Sequence, residues 1–326
     1  MQAIEKILVV GGAGYIGSVV TAQALSGGYK VRVLDNLSFG GESLLPVMSH
    51  PGFEFQRGDI RRPQDIATAV AGMDAIIHLA AIVGDPACAK DPALAEAVNG
   101  EAPRRLLTVA LDEGVRRFVF ASTCSNYGRM STPDEMVAET SPLNPVSLYA
   151  ELKVGFEQHL LEQDSTSPVV LRFATAYGLS PRPRFDLTVN EFTRDLVLGR
   201  PLEIYGELFW RPYCHIDDLA AACLMALAAD DDVVARRAFN VGSASENYQK
   251  KRLGQMICEQ LPGSEDLISH VHRDEDPRDY RVRFDRIESE LGFGITRTVR
   301  DGIGEIIHAL RSGIIAAPDS VRYRNS

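Results

Sequence analysis

The chain has 326 residues, enough to bury a sizeable core in one large or two modest domains, and its 45% hydrophobic and 24% charged content is that of an ordinary globular protein. A formal net charge of -10 argues against a nucleic-acid partner or an anionic membrane surface, so an anionic substrate must be held by a local basic site. No apolar run approaches the roughly 20 residues of a membrane span, the first strand starts too early to leave room for a signal peptide, and the five cysteines include no CxxC pair. A cytoplasmic protein with buried thiols, no disulfide framework and no metal site is therefore expected.

Ile7-Leu8-Val9-Val10 predicts a buried parallel strand, and it opens directly into Gly11-Gly12-Ala13-Gly14-Tyr15-Ile16-Gly17, with glycines at GxxGxxG spacing. The apolar run Ile16 to Leu25 predicts the following helix. A strand, a tight turn and a helix N-terminus present free backbone N–H groups to a pyrophosphate, and glycine permits the close approach. The second strand, Val31 to Leu34, ends on Asp35, whose carboxylate can accept both hydroxyls of an adenosine ribose. Asp35 also repels a 2′-phosphate, so NAD is expected rather than NADP.

Asn36 to Gly41, including Ser38, predicts a polar turn at the mouth of this site. A third strand at Phe53–Gln56 leads into Gly58-Asp59-Ile60, where a carboxylate and an apolar side chain can meet an adenine edge; a surface turn is the alternative for Asp59. A helix is expected around Ile66–Val70, then a fourth strand from Asp74 that ends in Leu79-Ala80-Ala81, small residues over which a cofactor can lie. His78, inside that apolar run, is expected in the core. A long helix over Leu94–Glu113 and a fifth strand, Arg117–Ser122, complete an alternation that argues for a doubly wound parallel sheet with right-handed crossovers.

Ligands collect at the carboxyl ends of such strands. The fifth strand ends in the hydroxyl-rich Ser122-Thr123-Cys124-Ser125, and the helix expected from about Pro145 to Gln163 places Tyr149 and Lys153 on one face, four residues apart. An ammonium near a phenol favours phenolate, and a positively charged nicotinamide adds to the effect, which would suit Tyr149 to act as a base.

At this point the chain resembles the extended short-chain dehydrogenase/reductase superfamily, in its nucleotide-sugar epimerase/dehydratase branch. The resemblance is carried by GGAGYIG at 11–17, Asp35-Asn36-Leu37-Ser38, Gly58-Asp59-Ile60, His78 to Ala81, Ser122-Thr123 with Tyr127-Gly128, Tyr149 to Lys153, Leu171-Arg172-Phe173 with Tyr177-Gly178, and Arg211 to Asp218. It implies a Rossmann-type domain over residues 1–178, to which a segment of about 212–242 returns, and a mainly substrate-binding region over 179–326. It also implies that Thr123 hydrogen-bonds the reacting sugar hydroxyl, that Tyr149 is the base, and that Lys153 binds the nicotinamide ribose. Hydride transfer from a sugar carbon, usually C4, to NAD would give a ketose, and its return to the other face an epimer. A homodimer through the 94–113 and 149–163 helices is the family expectation.

Two departures bear on the reaction. Family 4,6-dehydratases carry Asp and Glu after the catalytic threonine, whereas this chain has Cys124 and Ser125, which argues against dehydration and against decarboxylation. Cys124 reads either as a special acid or base or as a small thiol filling a gap. The family's phosphate-binding Asn is replaced by Thr175, and Asn190, at the head of the helix predicted over Glu191–Leu198, is a candidate substitute. Tyr205, in the Leu202–Tyr205 strand, is expected beside the nucleotide base, and Arg211 on the pyrophosphate through paired donors. Arg278 or Arg281 could also meet a phosphate. Arg182 and Arg184 read either as helpers of Arg211 on the pyrophosphate or, as is commoner for loop arginines, as solvated residues; Lys250-Lys251-Arg252 reads as a solvated helix start, Thr298–Leu310 as a last amphipathic helix, and the tail after Pro318 as frayed. An NAD-dependent nucleotide-sugar 4-epimerase is the resulting expectation. Net sugar oxidation or reduction, a ring mutase, and a regulator that binds dinucleotide without turnover are its rivals.

Overall fold

The computed structural model describes residues 4–130, 135–273 and 278–325. Residues 274–277 of the charge-rich 274–283 run, Pro277 among them, lie outside the described residues.

Seven strands form the main sheet: β1 (Lys6–Val10), β2 (Lys30–Asp35), β3 (Phe53–Arg57), β4 (Ala75–His78), β5 (Arg117–Thr123), β6 (Ser167–Phe173) and, after three strands outside it, β10 (Arg237–Val241). Their order is β10-β6-β5-β4-β1-β2-β3, and every adjacent pair is parallel. Central parallel strands are covered on both faces, which is why Ile7, Leu8, Val9 and Val10 are all buried rather than alternating. One face packs on helices Tyr15–Ser26 and Ile216–Ala228, through Val19, Val20, Leu219 and Cys223. The other packs on helices Pro63–Val70, Ala102–Asp112 and Leu148–Leu161, through Ile66, Leu106 and Phe156. This is a Rossmann-type α/β fold whose strand order reverses between β1 and β4, the place where such sheets open a crevice for ligands.

The helix expected over 94–113 is interrupted. Residues Glu96–Glu101 form a wide π turn between Pro92–Ala95 and Ala102–Asp112. Asn99 in that turn exchanges two hydrogen bonds with the backbone of Ile82, at 2.9 and 2.8 Å, and so fixes the loop after β4. Such turns recur at functional sites.

A smaller lobe has its own core of Tyr177, Val189, Leu196, Ile204, Tyr213, Leu253 and Ile303. It contains the β7 (Thr175–Tyr177), β9 (Trp210–His215), β11 (Asn247–Gln249) sheet and the pair β8 (Leu202–Tyr205) with β12 (Ile268–Val271). Within the 212–242 stretch, the helix and β10 sit on the main sheet, whereas residues 212–215 belong to the small one. The last long helix, Val299–Arg311, begins with a reciprocal capping box between Thr298 and Asp301. The tail does not fray as expected: Val321–Tyr323 form a helical turn, and Tyr323 is buried against Phe185. Among the described residues no helix is long and apolar enough to cross a membrane.

Candidate active site

The carboxyl ends of β1, β2, β4 and β5 open into a cavity of about 560 Å³, lined on its other side by the smaller lobe. Gly11, at φ +86°, has no room for a side chain: a Cβ there would stand 2.7 Å from the Ala80 backbone nitrogen. At Gly17 a Cβ would stand 2.0 Å from the Gly11 carbonyl oxygen, so the first turn of the helix can pack on the glycine turn only without one. Gly14 caps that helix without side-chain help, leaving N–H groups facing the cavity. Tyr15 and Ile16 line the same wall. The Tyr15 hydroxyl donates to the Gly178 carbonyl at 2.7 Å, tying the glycine turn to the smaller lobe.

Asp35 accepts from the Ala13 N–H at 3.0 Å and the Leu37 N–H at 2.8 Å. Burial raises its pKa, the backbone bonds oppose the rise, and the remaining lone pairs are available to ribose hydroxyls. Asn36 and Ser38 are coupled, Asn36 Oδ1 accepting from the Ser38 N–H and hydroxyl at 2.9 and 2.7 Å. Ile60, Leu79, Ala80 and Ala81 complete this half. Asp59 also lines it, but its carboxylate is engaged by the Arg61 guanidinium, which holds its pKa below the usual carboxylate range.

In the other half, Thr123 Oγ1 accepts from the Ser125 N–H at 3.1 Å, which leaves its own proton to donate. Lys153 is buried, donates to the Ala121 carbonyl at 2.8 Å, and lies 4.6 Å from the Phe120 ring centre. Burial pushes its ammonium down to about 8. Tyr149 opens on the cavity 5.9 Å from that ammonium, measured to the ring centre. Contrary to expectation, its phenol is shifted up. Burial dominates, Cys88 adds to the rise, and Arg184 is the cation that opposes it. Ser125, Thr175, Arg211 and Arg278 line this half too. Arg211 donates to the Trp210 carbonyl at 2.7 Å, and Arg278 pairs with Asp85 at 3.1 Å.

Three residues expected on the substrate side do not face the cavity. Cys124 is sealed behind β5, its thiol against the Arg172 carbonyl at 3.1 Å and its pKa raised by burial, so it is a gap-filler. Asn190 is fully buried and spends its amide on Gly178, Arg184 and Tyr15, at 2.8 to 3.3 Å, stapling the loop after β7. Tyr205 falls on the solvent side of β8, bonded to Glu203 at 2.6 Å, because Leu202 and Ile204 take the inward positions. Arg182 and Arg184 are buried in the cavity wall rather than solvated, and Lys250, Tyr280 and Asn325 line it as well. His78 is a core residue as expected, stacked on Phe120 at 5.8 Å. All five thiols are buried and free.

Residues 7–242 match the NAD dependent epimerase/dehydratase family. The chain belongs to that family. Its members of known activity to which it is similar differ in reaction. A dTDP-glucose 4,6-dehydratase of Streptomyces niveus is 30% identical over 94% of this chain and 93% of its own length. A UDP-glucose 4-epimerase of Rhizobium leguminosarum bv. trifolii is 32% identical over 78% of this chain and 81% of its own. The crystal structure of a dTDP-glucose 4,6-dehydratase from Streptomyces venezuelae, solved with NAD bound, matches at a TM-score of 0.84 and 28% identity, covering 94% of this chain and 97% of that one. The family-wide cofactor fits this cavity: a glycine cradle without Cβ atoms, a carboxylate at the end of β2 and small residues after β4 all face it. The protein is thus an NAD-dependent enzyme of the extended short-chain dehydrogenase/reductase type.

Proposed function

We propose that this family member is a nucleotide-sugar epimerase, most simply one acting at C4. The observation that carries the reading is the acid content of the cavity: among the described residues lining it, the carboxylates are Asp35 and Asp59, both in the dinucleotide half. Where family dehydratases place an acid pair after the threonine, Cys124 is sealed in the interior and Ser125 offers a hydroxyl. Expulsion of a C6 hydroxyl needs a proton donor that this half lacks as a carboxylic acid.

Gly11, Gly14, Gly17 and Asp35 would hold the dinucleotide, with Lys153 at its ribose. When bound, the nicotinamide supplies a reversible acceptor for the hydrogen on the sugar carbon. Tyr149 takes the hydroxyl proton of that carbon, and Thr123 orients the oxygen by donating to it. The ketone would turn within the cavity and Tyr149 would return the proton to its oxygen; with the hydride given back to the opposite face of the carbonyl, sugar and cofactor together would show no net change in atoms or electrons. Arg211 and Arg278 suit the substrate pyrophosphate.

The reading is tested by incubating the enzyme with UDP- and dTDP-hexoses and separating the products by chromatography and mass. An isomer of unchanged mass without net NADH is expected. A product lighter by one water would overturn the reading in favour of dehydration, and stoichiometric NADH would do so in favour of net oxidation.

A further inference from the structure

The loop after β7 and the last described residues meet over the dinucleotide half of the cavity. The Phe185 N–H donates to the Tyr323 carbonyl at 2.9 Å, Arg182 Nη2 to the Arg324 carbonyl at 2.9 Å, and the Asn325 N–H to Asp186 Oδ2 at 3.0 Å. On its inner side the same loop touches two residues of the dinucleotide walls. The Arg182 guanidinium lies 4.3 Å from the centre of the Phe39 ring, and that of Arg184 lies 6.0 Å from the centre of the Tyr15 ring. Phe39 follows the Asp35–Ser38 turn and Tyr15 follows Gly14, so this loop spans the mouth between them.

Among the described residues, two polar atoms of this assembly are buried without a hydrogen-bond partner, Nε of Arg182 and Oδ1 of Asn325, and both residues line the cavity. Arg182 is only 5% exposed, so water does not readily replace the missing acceptor. Its neighbour Arg184 is already held by Asp186, at 2.9 and 2.7 Å, whereas Arg182 meets no carboxylate among the described residues. Burial, with the adjacent Arg184 charge, pushes Arg182 down to about 10. An orphaned donor on a cation and an orphaned acceptor that line one cavity have the form of a site for a phosphate and a hydroxyl or amino group of the same ligand.

We infer that residues 321–325 and the Arg182–Asp186 loop form a clasp that completes the NAD site, with Arg182 Nε donating to a phosphate oxygen and Asn325 Oδ1 accepting from a hydroxyl or amino group. The diphosphate of a nucleotide sugar offers the same chemistry; contact with Phe39 and Tyr15 assigns the clasp to the cofactor. The inference rests on the cofactor and not on the sugar reaction that follows.

The test is calorimetric titration of cofactor-stripped full-length protein with NAD+, and separately with UDP and dTDP, in Arg182→Gln and Asn325→Ala, with thermal melting as the control for folding. Loss of one such bond should weaken NAD+ about tenfold in each variant while leaving UDP and dTDP within about twofold. Unchanged NAD+ affinity overturns the clasp, and so does a loss confined to UDP or dTDP. Should Arg182→Gln not fold, the half-buried Asn325→Ala decides alone. Failure of the epimerase reading leaves the NAD+ titration valid.

Discussion

The Lys153 ammonium and the Tyr149 ring are 5.9 Å apart, and the ammonium is directed to the Ala121 carbonyl. Burial works on the two in opposite senses of charge but to the same end: it pushes the lysine down toward neutrality and the phenol up, so each is held away from its ionised form. At neutral pH the lysine, at about 8, is still mostly the ammonium, whereas the phenol is held protonated.

Tyr149→Phe removes the phenolic oxygen and leaves the glycine turn and Asp35 untouched. Turnover should fall by about 10²–10⁴, the usual contribution of a positioned acid or base, while NAD affinity stays within a few-fold. Steady-state kinetics with a parallel binding titration checks both halves. Turnover close to that of the wild type would remove Tyr149 from the mechanism.

Lys153→Met tests the cost of the buried ammonium. A fall from 10.5 to about 8 corresponds to about 3 kcal/mol of destabilisation at neutral pH, by about 1.4 kcal/mol per unit. Losing the bond to Ala121 offsets about 1–2 kcal/mol of that, so the ligand-free variant should be the more stable by about 1–2 kcal/mol, though inactive. The sign of the pH effect follows. Between about pH 8 and the ordinary lysine value the unfolded chain binds the extra proton, so the wild type gains stability relative to the variant as pH rises through that window. Denaturant melts of both proteins across it would show the gap closing; a pH-independent gap would exclude the buried charge as its cause.

The dinucleotide half was legible in the sequence because it is local. One turn, Gly11 to Gly17, and one carboxylate at the end of the next strand lie along consecutive elements, and strand periodicity places them at one sheet edge. Tyr149 and Lys153 are likewise fixed by helical spacing. What sequence could not show depends on long-range packing. Asn190 is a candidate substitute for the phosphate-binding Asn that Thr175 replaces, but the loop after β7 folds over it and consumes its amide. Arg182 and Arg184 look like surface charges until a segment about 140 residues later covers them, as the bond from Arg182 to Arg324 records. The face taken by Tyr205 was open to a strand-period argument, since Leu202 and Ile204 are the apolar positions of β8.

Behind Thr123 lies a buried ion pair, Arg172 with Glu157, whose carboxylate also accepts from Ser122 at 2.9 Å and Asn126 at 3.3 Å. Glu157→Leu leaves the guanidinium buried and uncompensated, and should cost about 3–5 kcal/mol in urea melts. It should also loosen the 122–126 segment, lowering turnover more than NAD affinity. Adding Arg172→Met to Glu157→Leu should recover most of the stability, because the cost lies in the unpaired charge. Additive losses in the double variant would show instead that packing dominates.

His78 sets an acid limit on the fold. Its ring is buried among Phe118, Phe120 and Phe156, both nitrogens lack hydrogen-bond partners among the described residues, and burial, with the Lys153 charge, depresses its pKa to about 3. The unfolded chain takes up a proton near the ordinary value of 6.5, whereas the folded protein does so only near 3. Stability present above the unfolded value is therefore lost as pH falls between the two, at up to about 1.4 kcal/mol per pH unit from this one ring. His78→Leu, of similar volume and unable to ionise, should flatten that slope between about pH 6 and pH 4 relative to the wild type. Equal slopes in urea melts at matched pH would mean that other groups drive the acid transition.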